Sequence, residues 1–336
     1  MNKLTIRDVA ERAGVSIATV SRVLNGKDRV LRSTREKVQS AIEELDFQPD
    51  YIARSMVMKE TKTVGLLLPG LTNEFWATLA EYIEKSLWER GYTMTLCMIG
   101  NEGVDKERAA LRSFADKKVD GIIFCVSHLF ADYTERHSAS GPFDIPGVSF
   151  ELEISGMSSV QGDHIQASRQ AVDHLLDLGH TEIAYIGGPI VSPDRELGYR
   201  QALLTRQIAA SEALIQRGDP TIAFGREAAR RLVDNKTPFT AIFCGNDLMA
   251  IGAIQELMSR GLRVPEDISV VGYDDINAAA LVTPTLTTVR QPIDLIAQSL
   301  VDLLFNRMTG LEQPQQSRKL LFPMELIVRG STSPLR

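Results

Sequence analysis

Apolar positions along the chain follow two different periods, and the change falls near residue 60. Before it the pattern is helical, short and punctuated. Thr5-Ile6-Arg7-Asp8 is a capping signal, and Val9, Ala10 and Ala13 then form an apolar stripe, which predicts a helix over 6–13. Gly14-Val15-Ser16 interrupts it, with Ser16 placed to cap a second helix that carries Ile17, Val20, Val23 and Leu24 and stops at Asn25-Gly26. A third begins at Ser33-Thr34-Arg35-Glu36, an S-x-x-E capping box, and sets Val38, Ala41, Ile42 and Leu45 on one face. Three short helices joined by a tight glycine turn predict a helix-turn-helix.

Beyond Pro49 the pattern becomes alternating strands and helices. Strand-like apolar runs fall at 64–68, 93–99, 121–126, 147–150, 183–186, 241–244 and 268–271, with helical segments at 76–90, 106–117, 167–178, 195–206, 226–234 and 248–260. Alternation of this kind implies right-handed βαβ units and parallel sheets. The stretch is longer than one hydrophobic core usually serves, so two similar lobes with a ligand cleft between them are expected.

Composition removes several classes. The 336 residues are 44% hydrophobic, 24% charged and 6% aromatic, which excludes disordered and low-complexity chains. The longest apolar runs are strand-sized, well below the roughly 20 residues of a bilayer span, and 1–12 lack the apolar core of a secretory signal, so a cytoplasmic protein is expected. Cys97, Cys125 and Cys244 are odd in number, fall in expected strands and lack CxxC spacing; buried free thiols are expected, with no disulfide or metal framework. No phosphate-binding glycine loop, nucleophile elbow or HExxH is present, so neither a cofactor nor an enzyme is expected. The net charge of −6 is uneven: residues 1–59 carry 11 Lys and Arg against 8 Asp and Glu, a net +3, which leaves −9 for the rest. A small basic module thus precedes a large acidic one, and basic modules attract phosphate backbones.

The second predicted helix has the division of labour that DNA reading needs. Val20, Val23 and Leu24 turn inward, leaving Ile17, Ala18, Thr19, Ser21, Arg22 and Asn25 outside. Arg22 can pair bidentately with guanine, while Thr19, Ser21 and Asn25 suit phosphate oxygens. A helical protein-interaction module with an exposed arginine is the plainer alternative on spacing alone.

The run from Thr5 to Ser16, followed by Thr19-Val20-Ser21-Arg22-Val23-Leu24-Asn25 and Thr34-Arg35-Glu36-Lys37-Val38, resembles the DNA-binding headpiece of the lactose-repressor (LacI/GalR) family. The resemblance implies that Ile17, Ala18 and Arg22 read bases, that Thr5, Thr19, Ser21, Asn25 and Thr34 touch phosphates, and that Ser16 belongs to the same DNA-contacting set. Small or apolar residues at 17 and 18 favour thymine methyl contacts. Pro49-Asp50-Tyr51-Ile52-Ala53-Arg54-Ser55-Met56 resembles the family's hinge helix, with Ala53 and Met56 entering the minor groove and Met56 at the position that wedges a base step. Met56 and Asp50 stand where most members carry leucine and asparagine.

The likeness continues through Thr72-Asn73-Glu74-Phe75-Trp76, Val119-Asp120-Gly121-Ile122-Ile123, His174-Leu175 with Leu178-Gly179-His180, Asn246-Asp247-Leu248-Met249-Ala250, and Pro265 to Asp275. It implies an N-terminal all-α helix-turn-helix headpiece (1–46), a hinge and linker (47–60), and an α/β periplasmic-binding-protein-like core (61–336) of two doubly wound parallel-sheet lobes, one near 61–158 and 292–320, the other near 159–291 and 321–336. In open α/β sheets ligands bind beyond the strands' carboxyl ends. Asn246, Asp274 and Arg195 lie there and offer the planar donors and acceptors that polyhydroxylated ligands need, with Phe75 and Trp76 as a flat apolar wall. The resemblance carries Arg195, Asn246 and Asp274 over as effector ligands and adds Asn73, Phe75, Ser127 and Gln291 as lining. Taken singly, each has a duller use: Asn246, Asp274 and Asp275 could cap helices, and Arg195 could form a surface ion pair. Glu151-Leu152 replaces a D-R pair, His164 an asparagine and Ile293 an aromatic.

The expected function is a homodimeric, sequence-specific regulator of double-stranded DNA with a pseudo-palindromic operator, released by a small sugar-like effector. No heptads follow Val328-Arg329-Gly330-Ser331, so a dimer rather than a tetramer is expected. A regulator that needs a co-repressor or a phosphorylated carrier protein, and a sugar receptor without DNA function, are the alternatives.

Overall fold

The computed structural model describes residues 4–24, 30–47, 60–100, 103–126, 145–188, 193–312 and 316–335. The chain divides into two compact units, Met1–Thr61 and Lys62–Arg336. In the first, α1 (Ile6–Ala13), α2 (Ile17–Leu24) and α3 (Arg32–Glu44) close on a small core of Val9, Ala10, Val20, Val23, Val38, Ala41 and Phe47. Phe47 is buried with them and belongs to the headpiece core, one residue past the expected boundary. Asp8 accepts from the backbone N–H and the hydroxyl of Thr5, each at 2.7 Å, which fixes the start of α1. Its end is a left-handed Gly14 (φ +63°), and Val15 N–H returns to Ala10 O at 3.0 Å, the bond that turns the chain sharply into α2. Ser16 Oγ then accepts from Thr19 N–H at 3.2 Å. The expected capping box at Ser33–Glu36 is not used. The N-cap of α3 is Leu31, two residues earlier, Ser33 falls inside the first turn, and Glu36 is drawn to Arg32 Nε at 3.0 Å.

The second unit holds two parallel sheets. β1 (Thr63–Leu68), β2 (Thr93–Met98), β3 (Gly121–Phe124), β4 (Gly147–Phe150), β5 (Ser158–Gly162) and β11 (Lys319–Phe322) make one, in the order β11-β5-β4-β3-β1-β2. β6 (Ile183–Gly187), β7 (Ile215–Arg217), β8 (Ala241–Cys244) and β9 (Ser269–Val271) make the other, in the order β7-β6-β8-β9. β10 (Thr288–Arg290) and β12 (Glu325–Ile327) form a separate antiparallel pair. The lobe boundaries expected after 158 and 320 fall inside β5 and β11, so the chain passes between the sheets after Gly162, between Arg290 and Ile293, and after Phe322.

Helices between strands are α4 (Glu74–Trp88), α5 (Gly103–Asp116), α6 (His164–Asp177), α7 (Pro193–Thr205), α8 (Ile222–Asp234), α9 (Asp247–Ser259), α10 (Asn277–Leu281) and α11 (Ile293–Met308). α11 packs on α4 and against β3 to β5, where a Cβ on Gly121 would lie 2.8 Å from Leu304 Cδ1. α8 and α9 pack closely because two glycines face each other's backbones. A Cβ at Gly225 would sit 2.1 Å from Met249 O, and one at Gly252 would sit 2.2 Å from Ile222 O. Cys125 and Cys244 are buried as expected, whereas Cys97 on β2 is only partly so.

Candidate functional site

In the first unit, α2 turns Val20 and Val23 into the core, so its opposite side is solvent-facing. Ile17 is 44% exposed, an uncommon fraction for an isoleucine, and Ala18 and Arg22 are exposed beside it. Thr19 and Ser21 are half-buried, and Thr19 shares its hydroxyl with Ser16 at 2.9 Å. Thr5 is exposed at the start of α1 and Thr34 half-buried in the first turn of α3. Asn25, Ala53 and Met56 lie outside the described residues.

In the second unit, the ends of β6, β8, β9 and β10 bring charged and amide side chains together. Arg195 sits in the first turn of α7, buried, and donates through Nη1 to the carbonyl of Gly245 just past β8. The same Nη1 lies 3.4 Å from Asp274 Oδ1. The guanidinium stacks 3.8 Å from the centroid of the Tyr273 ring, a favourable cation–π placement in a buried setting. Asp274 takes a left-handed backbone (φ +108°) after β9, and its N–H donates to Val289 O at 2.9 Å. Gln291, past β10, donates from Nε2 to Asp274 Oδ1 at 2.8 Å. Asn73 adds a further side-chain hydrogen bond to Asp274, while its own Oδ1 accepts from Phe75 N–H at 3.1 Å and caps α4. Burial pushes the Asp274 carboxyl up; Arg195, then the hydrogen bonds from Gln291 and Asn73, hold it down.

Four expected residues, Asn73, Arg195, Asp274 and Gln291, are therefore brought into direct contact. Two polar atoms in this cluster, Arg195 Nε and Gln291 Oε1, are buried with no hydrogen-bond partner. Asn246 is placed differently: Oδ1 accepts from Met249 N–H at 2.8 Å and caps α9, and Nδ2 reaches Pro220 O at 3.3 Å. Phe75 is buried against Phe150, with ring centroids 6.1 Å apart, and Trp76 meets Phe150 edge-on at 6.0 Å. Ser127 lies outside the described residues. Asp274 and Asp275 cap no helix; Asp275 pairs with Arg290 and Arg329, each at 2.6 Å.

Asp247 enters the sequence reading only as part of the Asn246–Ala250 stretch, with no role of its own. It is fully buried, accepting from Thr288 Oγ1 at 2.6 Å and from Ile276 N–H at 2.9 Å, so it ties the start of α9 to β10 and to the loop that carries Asp274. Gly272 permits this, since a Cβ there would lie 2.2 Å from Asp247 Oδ1. Burial, then the charge of Asp274, raises its carboxyl well above the usual range. The only signal was its place after Asn246 at a strand end. Among the described residues no group of His, Cys, Asp and Glu is arranged to hold a metal, and no helix is long and apolar enough to cross a membrane.

The chain is 37% identical to the HTH-type transcriptional regulator DegA of Bacillus subtilis over 99% of both proteins. The profile of bacterial regulatory proteins of the lacI family matches residues 5–50, and that of a periplasmic binding protein-like domain matches 172–332. The chain belongs to the LacI family. It is a DNA-binding transcription regulator with an effector-binding core, from a family of regulators and not of enzymes. Among other LacI-family relatives, the ribose operon repressor of Escherichia coli is 37% identical over 97% of this chain and 99% of its own. The lac repressor dimer bound to operator and the anti-inducer ONPF superposes with a TM-score of 0.87 at 29% identity, covering 99% of this chain and 100% of that one. A LacI-family regulator from Enterococcus faecium with bound ribose gives 0.72 at 28% identity, over 82% of this chain and 100% of that one.

Proposed function

We propose that this regulator is a cytoplasmic homodimer that represses carbohydrate-utilisation genes from a pseudo-palindromic operator and is released by a small sugar or sugar derivative bound at Asn73, Arg195, Asp274 and Gln291. The observation that carries the effector reading is the pair of buried, unpartnered atoms in that cluster, Arg195 Nε as donor and Gln291 Oε1 as acceptor. Leaving such groups unmade is costly, and a ligand hydroxyl, donor and acceptor at once, serves both. Asn246, Phe75 and Ser127 complete the proposed lining. Asn246 Oδ1 serves the cap and one Nδ2 hydrogen goes to Pro220 O, which leaves the second Nδ2 hydrogen for a ligand. A ribose-bound relative of the same fold supports this chemistry.

For DNA, the proposal gives base reading to Ile17, Ala18 and Arg22, phosphate contacts to Thr5, Ser16, Thr19, Ser21, Asn25 and Thr34, and minor-groove insertion to Ala53 and Met56. Binding of the effector must differ between the operator-bound and released forms for it to act as a switch. The test is to incubate the full-length protein with sheared genomic DNA of its source at fixed physiological salt, with and without a sugar panel and cell extract, and to sequence the retained fragments. Enrichment of a few palindromes that one sugar abolishes is the expected result. Enrichment only with extract would replace the inducer by a co-repressor, and no enrichment under any condition would overturn the operator assignment.

A further inference from the structure

The same end of the four-stranded sheet holds a further buried polar atom that the cluster does not use. Tyr185 stands in the middle of β6, in register with Phe243 of β8, and both rings lie on the face covered by α6 and α7. The Tyr185 ring stacks on Tyr199 of α7, with centroids 5.3 Å apart and 25° between planes. It also meets Phe243 at 5.7 Å, and Phe243 meets Tyr273 at 6.5 Å, so a row of aromatic rings crosses the sheet from β6 to the end of β9. Gly187 fixes the direction of the Tyr185 side chain. It is two residues further on and on the same face of the strand, and a Cβ there would sit 2.1 Å from the Tyr185 hydroxyl oxygen. The ring therefore leans along β6 toward the carboxyl end, where Arg195, Gly245 and Asp274 gather. Tyr185 is 0% exposed, and its hydroxyl has no hydrogen-bond partner among the described residues, whereas the Tyr199 hydroxyl donates to Ile183 O at 2.8 Å.

Arg195 lies one helical turn before Tyr199 on the same side of α7, which places it over the hydroxyl end of the Tyr185 ring. From there its side chain runs across the aromatic row to the Tyr273 ring and Gly245 O. Its Nε, within that span, is itself buried and without a hydrogen-bond partner. Burial raises the Tyr185 phenol well above its usual range, so it keeps its hydrogen; among the neighbouring titratable groups Arg195 acts on it most, ahead of Glu196, Cys244 and Arg217.

We propose that the Tyr185 hydroxyl is a further effector contact, and that it and Arg195 Nε together take one hydroxyl group of the sugar. This rests on the reading of the Arg195–Asp274 cluster as the effector site. Nε–H only donates, while a phenol donates and accepts, so the pair is satisfied by a group that accepts from Nε and exchanges a hydrogen bond with the tyrosine oxygen. A ligand hydroxyl does both. A deoxy carbon does neither and leaves two buried polar atoms unserved. Such a pair selects by refusal, because an analogue that lacks the one hydroxyl is penalised for the groups it fails to satisfy. Tyr185 is in this sense a specificity-determining residue, and it sits inside an apolar strand that reads as plain core.

The test takes the full-length protein and a panel of sugars, with binding read first as a ligand-induced rise in Tm. The sugar that binds most tightly and its monodeoxy derivatives are then titrated calorimetrically into the parent, Tyr185→Phe and Tyr199→Phe. Tyr185→Phe keeps the ring and its stacking and removes an oxygen without a protein partner, so its Tm without ligand is expected to equal or exceed that of the parent. The expected result is that Tyr185→Phe binds the sugar about tenfold more weakly than the parent. For one monodeoxy derivative parent and Tyr185→Phe bind equally, and for the others the difference persists. Tyr199→Phe removes the neighbouring hydroxyl and binds the sugar as the parent does. Equal affinity of parent and Tyr185→Phe for the sugar, or a loss shared evenly by all the derivatives, overturns the contact and leaves the effector reading standing. If no sugar binds, the effector reading itself is overturned and the contact falls with it.

Discussion

Replacing Arg195 by alanine should destabilise the second unit by an amount that grows with pH. Removing one member of a buried ion pair costs about 3–5 kcal/mol, because the survivor is left charged in a poorly solvating place. Here the survivor is Asp274, 5% exposed, and the pair is at 3.4 Å and not in hydrogen-bond contact, which lowers the figure. Gln291 and Asn73 still donate to the carboxylate and lower it further. Against this, the substitution removes the bond to Gly245 O and a desolvated cation–π contact worth about 2 kcal/mol. The balance is about 3 kcal/mol at pH 8, or roughly 6–12 °C in Tm for a unit of this size. The pH sign follows from Asp274. Its carboxyl is already raised by burial, and without Arg195 it rises more, so the folded variant holds a proton that the unfolded chain has lost. Stability of Arg195→Ala relative to the parent therefore falls as pH rises and recovers on acidification. Differential scanning calorimetry at pH 5.5 and 8.0 reads this directly. Adding Asp274→Asn should restore at least half of the loss at pH 8.0. A loss below about 1 kcal/mol, or one equal at the two pH values and unrelieved by Asp274→Asn, would refute the reasoning.

Three other outcomes follow from the structure. Asp247→Asn should keep both contacts, its oxygen accepting from Ile276 N–H and its amide donating to Thr288, so stability at pH 7 stays within about 1 kcal/mol or rises. The raised carboxyl of Asp247 makes the parent lose stability as pH rises through its folded value, and the variant's urea-denaturation profile should lack that component; an unchanged pH slope would sink the assignment. Gly225→Ala forces α8 and α9 apart at a backbone oxygen that cannot turn aside, with an expected loss of about 1–3 kcal/mol and a lowered Tm, whereas Gly91→Ala, which has φ +73° and open space, tests backbone strain alone. On an operator recovered by DNA capture, Arg22→Ala should weaken binding by about 1–3 kcal/mol and leave non-specific binding nearly unchanged, while Thr5→Ala should weaken all sequences alike; equal losses on operator and random DNA for both would remove base reading from Arg22.

Much of this fold was legible because the informative residues lie close together in the chain. Each of the seven expected strands is present, since runs such as Val64-Gly-Leu-Leu-Leu are buried on both faces and read as continuous apolar segments. The long helix α11, the short α10 and the strands β5, β7, β10, β11 and β12 were not expected, and among the strands two kinds are instructive. β5, Ser158-Ser-Val-Gln-Gly, carries four polar or glycine positions out of five; its serines are buried because Ser158 finds Glu312 at 2.6 Å and the Arg318 N–H at 2.9 Å, partners some 150 residues away. β11 and β12 are short and half-exposed, and their pairing depends on chain that returns late from α11. Local pattern carries no trace of either. The same reasoning explains the missed opening of α3, where the S-x-x-E signature was present but Leu31 O already took the N–H groups of Thr34 and Arg35 at 3.0 Å each.

The candidate site divides along the same line, and the division bears on function. Arg195, Asp274 and Gln291 could be picked out as residues at strand ends, but not that they would be bound to one another, because they sit on three segments, after β6, β9 and β10, that meet only when those strands are placed side by side. Asn246 shows the converse: its oxygen serves as the cap that the α9 sequence already advertised, so local chemistry claims half of a side chain that the resemblance would give wholly to a ligand. A cluster whose members restrain each other across two sheets has a property that separate ligand contacts lack. Neutralising Asp274 removes the charge that faces Arg195 before a ligand arrives, and a ligand that holds Arg195 touches, through Gly245, Asp274 and Gln291, the loops after β8, β9 and β10. By linkage these are the same coupling free energy seen from two ends. The cluster is thus suited both to hold a polyhydroxylated molecule and to report its presence across the sheets, which is what a regulator, in contrast to a simple receptor, requires.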